Sequence, residues 1–98
     1  MIPPMKGLRL RSINRWLKEN REGFASLPQE ERDRIATDLD EQMIEAFDER
    51  DEDLISRLTR AGLWGTEAGL QQFNTDRMVL WQEVCGEFLP TSGRDQDN

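Results

Sequence analysis

The chain has no histidine and no tyrosine, a single cysteine and only two valines. Without histidine, the commonest general base and metal ligand is missing. One cysteine, Cys85, permits no intrachain disulfide. Lacking histidine, it also cannot build the usual zinc sites or a Cys–His nucleophile pair. No serine stands in a G-x-S-x-G setting, and the glycines of GLWGTEAG come without the lysine of a phosphate-binding loop. No apolar run approaches 18 residues, and the opening MIPPMK is too short and proline-broken for a signal sequence. A cytoplasmic, non-membrane protein is therefore expected. No catalytic, cofactor-binding or metal-binding residue is assigned, no cofactor is expected, and the chain does not read as an enzyme.

The acidic run Asp48–Asp53, DERDED, imitates a calcium loop only loosely. Arg50 stands at its third position and no glycine at its sixth. The plainer reading is a helix start, where carboxylates meet the positive end of the dipole.

What is present is charge and helical periodicity. Ninety-eight residues suit one small domain, and 34% of them are charged. Scarce valine and absent tyrosine leave little vocabulary for strands. The expected fold is all-α: a single-domain bundle of four to five helices over residues 12–89. A flexible arm over 1–11 and a disordered polar tail over 90–98 flank it.

The first helix is placed between Ser12 and Gly23, with Ile13, Trp16 and Leu17 inward. The second is the clearest. Ser26 and Gln29 have capping-box spacing, Pro28 suits the first turn, and Phe24 can staple on from outside. Ile35, Leu39, Met43, Ala46 and Phe47 share its inward face. A third helix runs through Leu54, Ile55 and Leu58 and stops at Gly62. Trp64, between two glycines, reads as a core plug or an exposed partner anchor. Thr66 caps a further segment burying Leu70 and Phe73, with a break expected at Asn74 and Thr75. The last helix presents Met78, Leu80, Trp81, Val84, Cys85 and Phe88 over a wide apolar face.

Charge is unevenly placed. The net charge is −7, yet residues 1–25 carry +4 and residues 26–55 carry −9. On the second helix, Asp38, Glu41, Glu45 and Asp48 recur at three, four and three, with no basic residue between them. Like charges at that spacing cost a few tenths of a kcal/mol per pair. Such a stripe is either plain solvation or a docking face for a basic protein partner. In the docking reading the contact residues are Asp38, Glu41, Glu45, Asp48, Glu49 and Glu52, with Ile44 at the edge and Trp64 or Trp81 adding apolar grip. The carboxylates would stand in for phosphates on a nucleic-acid-binding surface. Small phage and mobile-element inhibitors of the anti-CRISPR and anti-restriction kind work on this logic, which is an analogy of mechanism and rests on no shared motif.

Two alternatives remain. One is a helical subunit or adaptor assembling through the apolar last helix, as a homodimer or with another chain. The other is a regulator that binds nucleic acid through Arg9, Arg11, Arg15 and Lys18. The acidic total opposes direct nucleic-acid binding.

Overall fold

A computed structural model describes residues 2–90, and all regular structure among them is helical. Three α-helices replace the expected four to five: α1 (Lys6–Asn20), α2 (Gln29–Arg60) and α3 (Glu67–Phe88). A single 3-10 turn, Phe24–Ser26, links the first two. The expected tail over 90–98 falls, from residue 91 on, outside the described residues.

The spine is α2. At 1.5 Å per residue its 32 residues span about 48 Å. Its buried positions are Ala36, Asp40, Met43, Phe47, Leu54 and Leu58, at helical spacings of four and three. That stripe lies one residue away from Ile35, Leu39 and Ala46, which are half-buried. Between Phe47 and Leu54 the apolar rhythm lapses for a turn, at the acidic run that reads as the start of a separate helix. Ion pairs to α3 fill the gap. Arg50 Nη2 lies 2.7 Å from the Glu87 carboxylate, and Arg77 Nε lies 2.9 Å from Asp51 Oδ1. The run 48–53 is therefore mid-helix, not a helix start.

Both other helices run antiparallel to α2 and cover different parts of it. Near the front of the spine, α1 pairs its Arg9 with Asp40. Farther along, α3 sets Phe73 against Leu54 and Leu58, and Trp81 against Phe47. The two overlap around Met43 and Phe47, where Ile13, Leu17, Phe24, Trp81 and Val84 complete the main core. Fully burying one such aliphatic or aromatic side chain contributes about 1.5–3 kcal/mol. Trp81 meets Phe47 edge-on, centroids 5.8 Å apart. The Trp16 indole N–H donates to the Pro90 carbonyl at 2.8 Å, tying the end of α3 to α1.

Several expected boundaries move. Residues 6–11 belong to α1, not to a flexible arm. Pro3 and Pro4 lie before the helix and so do not break it, and the Arg9 guanidinium donates back to the Pro4 carbonyl at 2.6 Å. The helix ends at Asn20, and Gly23 serves the 3-10 turn instead, at φ 82°. No capping box forms, because Ser26 lies in that turn and the Gln29 amide donates to Asp33 at 2.8 Å. Phe24 is not an outer staple but a wholly buried core residue.

Thr66 does cap α3: its hydroxyl accepts from Gly69 N–H at 3.0 Å. The helix continues through Asn74 and Thr75, where the Thr75 hydroxyl donates to the Gln71 carbonyl at 3.1 Å. Leu70 is 55% exposed because it lies to the side of the line that faces α2, and Met78 is 50% exposed because it lies on the side of α3 away from α2.

Candidate functional site

The acidic residues gather along a shallow groove of about 430 Å³ between the start of α1 and the middle of α2. Glu41, Glu45, Asp48, Glu49 and Glu52 line its length, all exposed, and half-buried Ile44 is the apolar residue among them. Helix α1 contributes Lys6 and Arg9 at the other wall. Asp38 is exposed on the same helix but lies outside the groove.

Two groups of carboxylates on the middle of α2 have different surroundings. Asp40 and Asp51 hold the fold together through Arg9 and Arg77. The five groove carboxylates form no salt bridge among the described residues. Arg50 stands next to them in sequence but turns to α3, where its bond with Glu87 holds the Glu87 carboxyl below the usual range. The same bond raises the Arg50 guanidinium. The cation nearest in sequence is thus withdrawn, and the groove keeps a negative field.

From Asp38 to Glu52 the six exposed carboxylates are spread over about 21 Å of helix, close to one charge per 4 Å. A nucleic-acid strand carries one phosphate per about 3.4 Å of axis. The linear charge densities are alike.

The other nominated residues separate. Trp64 is 45% exposed and rests edge-on against Phe73 at 5.2 Å, so it is not a core plug. With Leu70 it lines an open surface recess at the start of α3. Trp81 is buried against Phe47 and is withdrawn as a partner contact. Arg9 is withdrawn from the basic face, since Asp40 holds it. Arg11, Arg15 and Lys18 remain together, exposed along α1.

Cys85 is half-buried, and burial pushes its thiol up. Among the described residues no group of three or more acidic or sulfur ligands is arranged to hold a metal ion, and no helix is long and apolar enough to cross a membrane.

Two groove residues escaped the sequence reading. Lys6 falls within the expected arm, yet it is the first residue of α1. Asp40 is not among the expected contact residues, although Ala36, Asp40, Met43 and Phe47 recur at four, three and four. An acid inside a buried stripe requires a cationic partner, and that signal was available.

No protein-family model, no curated protein and no solved structure matches this chain.

Proposed function

We propose that the chain is a non-catalytic protein-binding module, an inhibitor or regulator whose acidic α2 face docks on a basic, nucleic-acid-binding surface of a partner. The observation that carries this reading is the exposed row of carboxylates at Glu41, Glu45, Asp48, Glu49 and Glu52, which form no salt bridge among the described residues while Arg9, Arg50 and Arg77 are engaged elsewhere and five carboxylates outnumber Lys6 at the opposite wall. A face meant only for solvation gains from interleaved Glu and Lys, which contribute about 0.2–0.5 kcal/mol per pair. Here that gain is forgone over three turns.

The mechanism is occlusion. Carboxylates replace phosphates as counterions of the partner's Arg and Lys, and Ile44 offers an apolar contact within the same groove. The field around the groove speeds encounter and makes it sensitive to salt.

The test is capture of partners from a host lysate with salt-stepped elution, repeated with Asp38, Glu41, Glu45 and Asp48 all changed to Lys. A basic protein released at moderate salt, displaced by DNA or RNA and lost in the quadruple variant, supports the reading. Undiminished binding by that variant removes it.

A further inference from the structure

The exposed surfaces of α2 and α3 differ sharply in charge. Of the sixteen exposed residues of α2, twelve are charged. Between Ala68 and Gln82 on α3 there are nine exposed residues and none is charged. A solvent-facing helix surface is where charged side chains normally collect. The two charged residues of that stretch, Asp76 and Arg77, are half-buried, and Arg77 is held by Asp51.

The neutral surface is also ordered. Gln71, Thr75, Met78 and Gln82 recur at four, three and four, which makes one stripe along α3. Val79, 47% exposed, flanks it one turn on from Thr75, and Leu70 lies farther round the helix. Protein interfaces are depleted in Lys, Glu and Asp and enriched in Met.

We propose that this outer face of α3 is a homodimer interface, on which two copies pair antiparallel about a two-fold axis near Thr75. Two observations select a second copy as the occupant. The chain carries −7, so two copies repel across charged surfaces and meet most easily where charge is absent. Amide and hydroxyl side chains both donate and accept, so a Gln and Thr stripe can bond to its own image, as an isologous contact requires.

The axis sets the Gln71 end of one stripe against the Met78 end of the other. The face is about 22 Å long and about 10 Å wide. It buries a few hundred Å² per copy, short of the roughly 800 Å² of a standard stable interface. The dimer is therefore weak and concentration-dependent. It uses a different helix from the acidic groove and does not depend on the function proposed for that groove.

The test is sedimentation of the full chain from about 5 to about 500 µM in low and in high salt. Dimer is expected at the upper concentrations, and more of it in high salt, because screening weakens the repulsion. Gln71→Glu with Met78→Glu should weaken it roughly tenfold or more. Gln42→Glu with Ser56→Glu adds the same charge on α2 and should weaken it far less. Both pairs are exposed, and unchanged far-UV helicity checks their folding. Independently, Thr75→Cys in a Cys85→Ala background should form a disulfide-linked dimer on mild oxidation. Monomer throughout, a dimer indifferent to the α3 charges, or one dispersed by salt would overturn the proposal.

Discussion

Arg9 and Asp40 form a two-point ion pair across the α1–α2 contact, Nε to Oδ1 at 2.7 Å and Nη2 to Oδ2 at 3.1 Å, with the Asp40 side chain only 4% exposed. Removing the cation leaves a carboxylate without its partner inside a low-dielectric contact. Arg9→Ala should cost about 3 kcal/mol, read from urea unfolding. Replacing both residues, as Arg9→Met with Asp40→Leu, should cost much less, since no charge is then stranded.

Arg77 joins the two core clusters. Its Cζ lies 5.3 Å from the Phe47 ring centroid and 4.9 Å from that of Phe73, while its Nε bonds Asp51. A lysine keeps the charge but not the planar group that covers both rings. Arg77→Lys should therefore lose about 1–2 kcal/mol in the same assay.

Two glycines of α3 should respond with opposite signs to alanine. A Cβ at Gly69 would collide with the Leu63 carbonyl, which is backbone and cannot swing aside. At Gly86 the same atom enters open space. Gly86→Ala should raise stability by about 0.5–1 kcal/mol through helix propensity alone. Gly69→Ala should lower it despite that propensity, and thermal melts of the two variants make the comparison.

Burial holds the Cys85 thiol above its ordinary pKa. At pH 8 less of it is thiolate than in an open peptide, so alkylation should be slow in the folded chain and reach the peptide rate in urea. The folded state binds this proton more tightly than the unfolded state does. Its contribution to stability is therefore full below the thiol's unfolded pKa and is lost as pH rises through the folded value. Cys85→Ala should flatten the alkaline fall in stability.

Depth in the core separates Phe47 from Leu70. Phe47 is wholly buried, so Phe47→Ala should cost about 3–5 kcal/mol. Leu70 is 55% exposed, and Leu70→Ala in dilute solution should stay within about 0.5 kcal/mol.

The helical class was legible because strand-forming residues are few and the periods are strong. The inward placing of Met43, Phe47, Leu54, Leu58, Phe73 and Val84 was legible from spacing alone. Helix number was not, because at Arg50 and Asp51 the buried stripe passes from apolar residues to ion pairs that a hydrophobic period cannot register, and because Asn74 and Thr75, residue types that favour caps and turns, sit inside the continuous α3. Leu70 misled for the converse reason: its type favours burial, but no neighbouring helix reaches that side of α3. The acidic stripe was visible as sequence. That Arg9, Arg50 and Arg77 turn to other partners depends on how the helices pack.

The staggered cover of α2 also sets an order of opening. Around Met43 and Phe47 the spine is gripped from both sides, while beyond Leu54 it has α3 alone. The far hairpin, with its turn at Gly62–Gly65, resembles a cantilever clamped at one end. Amides near Leu58 and Phe73 should exchange with solvent through a sub-global opening at lower free energy than those near Met43. The hinge of that motion is the turn of α2 where ion pairs stand in for hydrophobic side chains, so acid that protonates Glu87 and frees Arg50 should loosen that turn.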